Sequence, residues 1–190
     1  RSDRDRALPR IADLPSDWDY FPFRPIVFGG DDVTFVCTGR YGLALATRYL
    51  EAFEDATRSS AAFGMQPAYA CAGVAIVKLH YPFARAYQLS ESLCSGAKKL
   101  LRDMGLEASG LDWQFAISGI TGTLEQIRRR EYTVRWPAGG EGQLQARPLL
   151  LCESSATWRT WPVMQTVIKE LAEPGGEWYD RRNKVKALRD

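Results

Sequence analysis

Adjacent aspartates behind paired glycines, Gly29-Gly30-Asp31-Asp32, are the residues of this 190-residue chain whose types and spacing best suit chemistry. Two neighbouring carboxylates offer the hard oxygen donors that Mg2+ or Mn2+ prefers. Glycines ahead of them permit positive φ and let a phosphate approach the backbone with no Cβ in the way. Phosphoryl transfer between nucleotides asks for little else from a protein. It needs divalent metal to neutralise phosphate charge and groups that hold the attacking hydroxyl in line. Asp31 and Asp32 are therefore candidate catalytic and metal-binding residues, with Gly29 and Gly30 as candidate nucleotide contacts. The bland reading of the same residues is a plain hairpin turn, because Gly and Asp are what turns prefer. Gly139-Gly140 and Gly175-Gly176 mark the contrast, since they are turn or cap candidates without paired carboxylates.

Other chemistry has less to stand on. His80 is the only histidine, at the end of an apolar run just before Tyr81-Pro82. A Ser-His-Asp triad would rest on it alone, so a structural role at a strand end is the expectation. Cys37, Cys71, Cys94 and Cys152 are scattered with no C-x-x-C pair. Three of them sit in apolar stretches, which favours buried free thiols over a zinc site and fits a reducing cytoplasm. With 25 Lys and Arg against 23 Asp and Glu, the formal charge of +2 is too small to bind nucleic acid by bulk electrostatics. Arg128-Arg129-Arg130 and Arg181-Arg182-Asn183-Lys184 read first as solvated helix faces, with RNA or a partner as the alternative. Trp158 and Trp161 are candidates for packing a C-terminal helix as much as for stacking a base. No run approaches the roughly 20 apolar residues of a membrane helix, and no signal peptide is visible.

The elements that must hold the tetrapeptide follow from periodicity. Residues 10–22 are rich in Pro, Asp and aromatics and read as an irregular approach segment. Arg24–Phe28 and Val33–Cys37 flank the Gly-rich tip as the arms of a β-hairpin. Tyr41–Thr57 has helical spacing, with Leu45, Ala46, Tyr49, Leu50, Phe53 and Ala56 apolar. Tyr69–Leu79 is apolar on both alternating faces, which predicts a strand in the middle of a covered sheet. Pro82 opens a long helix that Gly105 closes, and Leu111–Ser118 is a further strand with Trp113, Phe115 and Ile117 on one face. Beyond Arg128, Glu131–Trp136 and Gly142–Leu151 suggest an arched hairpin around Pro137-Ala138-Gly139-Gly140. Helices are expected over Trp158–Leu171 and Asp180–Leu188. The fold class is α+β, and the order becomes a ferredoxin-like βαββαβ once a strand and helix stand in front. The chain opens without Met at Arg1, and that first strand is expected upstream of it. The division expected is 1–127 for this domain and 128–190 for a C-terminal α/β extension packed on it.

Several ordered matches give the pattern a family resemblance. Ile26–Val33 resembles the palm hairpin of the large subunit of type III CRISPR effector complexes, or of a related minimal CRISPR polymerase. Cys71–Lys78 with Tyr81-Pro82-Phe83 and Ala86-Tyr87 is similar to that family's next strand-to-helix passage. Glu91-Ser92 to Ala97-Lys98-Lys99 resembles its helix ending in an Ala-Lys pair. Ser109–Trp113, Ser118-Gly119 and Arg130-Glu131-Tyr132 are similar to the tail of the second palm in such proteins. The likeness spans roughly 26–132, with a looser echo over 158–188.

The resemblance implies a nucleotidyltransferase that makes cyclic or linear oligonucleotide second messengers, typically oligoadenylates from ATP, in antiviral defence. It places the metals on Asp31 and Asp32, the nucleotide against Gly29 and Gly30, and the triphosphate at Lys98. A lysine is a suitable point charge for phosphate. Solvation on a helix face is the competing reading of Lys98, and Lys99 is its rival for the role. Small residues around Cys71–Gly73 suggest room for adenine near the hairpin, or else close helix packing. CRISPR ribonucleoprotein subunits, RNA and a second copy of the chain are the partners implied. Palms of this type carry a further metal-binding aspartate on their first strand; Asp3 and Asp5 stand in Arg-rich polar surroundings and are not assigned that role. Two other readings compete. One is a catalytically incomplete scaffold palm. The other is a diguanylate-cyclase-like enzyme, whose acidic pair is followed by Phe where this chain has Val33.

Overall fold

The computed structural model describes residues 22–116, 122–137 and 139–187. Residues 10–21, Asp3, Asp5, Ile117, Ser118-Gly119 and Leu188 lie outside the described residues. Two antiparallel strands, β1 (Phe23–Gly29) and β2 (Asp32–Cys37), form a hairpin by themselves. Pro25 is accommodated beside a register irregularity between Pro25 and Val27, and β1 has no partner on its other edge among the described residues. At the base of the hairpin the Phe23 and Phe35 rings meet with centroids 5.3 Å apart.

The main sheet has three strands in the order β3 (Cys71–Val77), β4 (Gly110–Ala116), β7 (Leu149–Leu150). β3 and β4 run parallel, joined by helix α2 (Phe83–Met104), and β7 is antiparallel to β4. Helix α1 (Gly42–Arg58) packs on one face of the sheet. Its Ala46 and Leu50 join Leu111, Trp113, Leu149, Leu151 and Trp161 in the larger core, with Ala72, Val74 and Ile76 of β3 against it. Helix α2 takes the other face, where Leu101 clusters with Ala108 and Leu150, against Cys71. Both alternating faces of β3 are thus covered by helices, as its unbroken apolar run predicts. Among the described residues β4 is the central strand and β3 has a neighbour on one side alone, where the expectation put it inside the sheet. β3 is half-exposed while β4 is almost wholly buried.

Helix α2 starts after Pro82 and ends at Gly105, whose φ of 62° is the left-handed conformation that glycine favours in a C-cap. After β4 comes α3 (Leu124–Tyr132), which carries the helix face read at Arg128–Arg130. It begins with a reciprocal capping box between Thr123 and Gln126, and its last two residues, Glu131 and Tyr132, are ones expected to start a strand. Short strands β5 (Thr133–Arg135) and β6 (Glu141–Gln143) make the second hairpin. Leu149–Leu150, expected as part of its returning arm, instead leaves that hairpin and is drawn into the core as β7. Burial of both leucines explains the departure. α4 (Trp161–Ala172) begins at its Thr160 cap, and the Trp161 ring packs edge-on against Trp113. A short helix, α5 (Arg182–Ala187), ends the described chain. Among the described residues no helix is long and apolar enough to cross a membrane.

One polar network is buried with the core. Arg128 of α3 donates from Nη1 to Asp112 Oδ2 at 2.8 Å and from Nη2 to Asp112 Oδ1 at 2.7 Å. Asp112 Oδ1 also accepts from the Trp113 amide, and Arg128 Nη2 reaches the Trp113 carbonyl. Nearby, Arg147 lies over the rings of Trp113 and Tyr132, and it donates to Gln114 Oε1 and the Tyr132 hydroxyl. These contacts fasten α3 and the strand-to-β7 passage to β4.

Candidate functional site

The hairpin tip is built as a two-residue turn. Gly29 and Asp32 face each other in the ladder, leaving Gly30 and Asp31 as the turn itself. Gly30 has φ of 62°, the conformation a two-residue hairpin loop requires of its first residue and glycine supplies freely. Gly29 is different. Its φ is not positive, and a Cβ built there would meet no atom within 4 Å. Neither the turn nor the packing asks for glycine at this position. Gly29, Gly30, Asp31 and Asp32 are all exposed, so the bare backbone and the two carboxylates face solvent together. Phe28, beside them, is 80% exposed.

Helix α2 carries Glu91, Cys94 and Lys98 at three- and four-residue spacing, along one side of the helix. Their electrostatics converge on the Cys94 thiol. Burial pushes that thiol up, Lys98 pulls it down, and Glu91 and Asp32 push it further up. A carboxylate of the hairpin and a lysine of the helix therefore act on the same sulfur, although they are 66 residues apart in the chain (98 − 32). Asp32 and Lys98 thus share Cys94 as an electrostatic neighbour, and Asp31 stands next to Asp32 in the turn. Lys98 makes no hydrogen bond or ion pair among the described residues. Lys99, its rival, is bound to Asp103 one turn along the helix.

No cluster of three or more His, Cys, Asp or Glu residues suited to a metal occurs among the described residues. The tip still offers what Mg2+ asks of a protein that also supplies a triphosphate. One or two carboxylates suffice when phosphate oxygens and water complete the shell. Asp31 and Asp32 fit that donor set.

The small residues of β3 have another use than a base pocket. At Gly73 a Cβ would lie 2.0 Å from the Ser90 carbonyl oxygen and 2.5 Å from the Cys94 amide nitrogen. The α2 backbone occupies the space that adenine would need, so the expected room beside Cys71–Gly73 is filled. Cys94 Sγ donates to the Cys71 carbonyl at 3.2 Å, which closes the same junction. Burial raises the Cys71 thiol to about 11, with the neighbouring Cys94 adding to the rise. All four cysteines are free: Cys37, Cys71 and Cys94 are half-buried and Cys152 is exposed.

Sequence reasoning placed the Arg128–Arg130 run on a solvated face, and Arg128 departs from it. It is buried against Asp112, while Arg129 and Arg130 are exposed. The available signal was Asp112 itself, a charge inside an apolar strand that needs a partner. His80 is exposed in the turn after β3. Trp161 packs the core, whereas Trp158 is 64% exposed. No protein-family model matches the chain, and no curated protein matches it.

Proposed function

We propose that this chain is a metal-dependent nucleotidyltransferase that joins nucleotides, with ATP as substrate and a cyclic or linear oligoadenylate as product, in CRISPR-type defence. The observation that carries the reading is Gly29. A glycine that neither the turn nor the packing requires stands beside two exposed carboxylates, and Asp32 and Lys98, the lysine unpaired among the described residues, both act on the Cys94 thiol. A plain turn accounts for Gly30 and Asp31. It does not account for Gly29, Asp32 and Lys98 together.

In this reading Asp31 and Asp32 hold Mg2+ or Mn2+. The metal, when bound, supplies charge neutralisation on the phosphates. The chain's own residues do the positioning. The Gly29–Gly30 backbone lies against the phosphates, its amides free of any Cβ. Lys98 binds the triphosphate as a point charge from the helix side. The hairpin fixes the carboxylates on a rigid scaffold, so they need no rearrangement during reaction.

The palm assignment is part of the same proposal. In a βαββαβ sheet the first strand lies between the third and the fourth. Here those are β2 and β3, and neither has a partner on that edge among the described residues. Side chains of Cys37 at the end of β2 and Val74 of β3 both lie within 4 Å of a Cβ built at Gly42, so both strands meet the start of α1. Four free thiols suit a reducing cytoplasm.

Calorimetric titration of ATP with Mn2+ tests the reading. Binding is expected in the wild type and absent in Asp31→Ala/Asp32→Ala. Equal binding by both proteins would refute the assignment.

A further inference from the structure

We infer that Gly73 and Cys94 are positioning residues, which set where Lys98 stands relative to the hairpin; this rests on the triphosphate role proposed for Lys98. The contact at Gly73 is backbone on backbone. The Ser90 carbonyl oxygen and Cys94 amide nitrogen that a Cβ would strike belong to one turn of α2. No change of rotamer can move them aside. For any other residue α2 must lift from β3 by roughly 1.5 Å before ordinary contact distances of about 3.5 Å return. Lys98 stands one helical turn beyond Cys94, so a rigid helix carries that displacement to the Lys98 backbone, from which its ammonium group reaches out.

The neighbouring contacts hold the same register. Cys94 Sγ is tied to the Cys71 carbonyl, close beside Gly73 in β3. One turn further, Gly110 of β4 admits Ala97 and Leu101, whose side chains would lie 3.5 Å and 3.2 Å from an added Cβ. Those are side-chain contacts that can yield by a few tenths of an ångström. Gly73 alone of the two meets main chain. The junction is thus tightest at Ser90 and Cys94, the turn of α2 just before Lys98.

Close helix packing for its own sake is the competing account, and it predicts a stability loss indifferent to Lys98. A double-mutant cycle on ATP affinity in Mn2+ separates the two, using wild type, Gly73→Ala, Lys98→Ala and the double variant of the full chain. Displacing a positioned group by about 1 Å can cost as much as a hundredfold, so Gly73→Ala is expected to weaken ATP binding at least about tenfold. On the Lys98→Ala background the same change should cost less than about twofold, because the group it displaces is gone. Mn2+ alone should bind all four proteins alike. Unchanged ATP affinity in Gly73→Ala, or equal losses on both backgrounds, overturns the inference and leaves the proposed function standing. Failure of the wild type to bind ATP overturns both. If Gly73→Ala does not fold, Cys94→Ala carries the test, since it removes the tie to Cys71 without adding volume. It should weaken ATP binding only while Lys98 is present, with Cys94→Ser restoring it; an equal effect without Lys98 overturns the inference.

Discussion

Replacing Arg128 by methionine should destabilise the protein by about 3 kcal/mol, at the lower end of the range of about 3–5 for stripping one partner from a buried ion pair. The structure sets that position within the range. Asp112 is fully buried and accepts from both terminal nitrogens of Arg128 and from the Trp113 amide. A methionine in place of the arginine would leave the carboxylate with the Trp113 amide alone, in a site that water does not reach. Against this, Arg128 Nε is buried without a hydrogen-bond partner among the described residues, and the substitution removes that unfavourable group. For a chain of this length each kcal/mol shifts the melting temperature by about 2–4 °C, so a fall of about 6–12 °C is expected. Urea denaturation followed by circular dichroism gives the free energy directly. Asp112→Leu should cost a similar amount, whereas the double variant Asp112→Leu/Arg128→Met should recover most of the loss, because no lone charge remains buried. A single variant within about 0.5 kcal/mol of wild type would refute the reasoning, as would a double variant as unstable as the sum of the singles.

Gly29→Ala should leave stability unchanged or slightly raised, by a few tenths of a kcal/mol, because a strand position with open space around it gains from losing glycine's conformational freedom. The same change should weaken ATP binding by at least about tenfold, and parallel thermal and calorimetric titrations would expose a purely structural role. Lys98→Ala should impair ATP binding while Lys99→Ala, which breaks an exposed ion pair, does little to binding and costs at most about 1 kcal/mol. Alkylation of Cys71 should be slow at pH 8 and accelerate toward pH 11, well after the exposed Cys152 has reacted, as mass mapping of the labelled peptides would show. The folded Cys71 holds its proton up to about 11 while the unfolded thiol ionises near 9.0. Its contribution to stability is therefore full below pH 9 and declines as pH rises through that window.

Much of the fold was legible because periodicity and punctuation agree. The hairpin announced itself through β-branched arms around Gly29–Asp32, and α1 and α2 through apolar spacing and, for α2, Pro82 and Gly105 at its ends. The bounds of α3 were hidden because its residues are nearly all polar, Leu124 and Ile127 being its aliphatic positions. Its visible signal was the Thr123–Gln126 capping box. β7 was hidden for another reason. Two leucines carry no period, and their pairing with β4 spans a gap of 38 residues (149 − 111) that no local rule bridges. That β3 has a strand on one side alone among the described residues could not be read from its apolar run, since helices on both faces call for apolar residues whether or not a second strand pairs with it. At the candidate site, spacing singled out Asp31 and Asp32 as candidates, but only the backbone φ separates Gly29 from Gly30. Gly73 shows the converse: its smallness suggested a pocket, and the backbone of α2 fills it.

Asp31 and Asp32 are proposed to support transfer between nucleotides. Incubating the full chain with each nucleoside triphosphate and Mn2+, then identifying products by mass, measures that directly. The account predicts short oligoadenylates from ATP, lost in Asp31→Ala/Asp32→Ala although that variant melts within a few degrees of wild type. Product formation that survives the double substitution, or no product from any nucleotide, would contradict it.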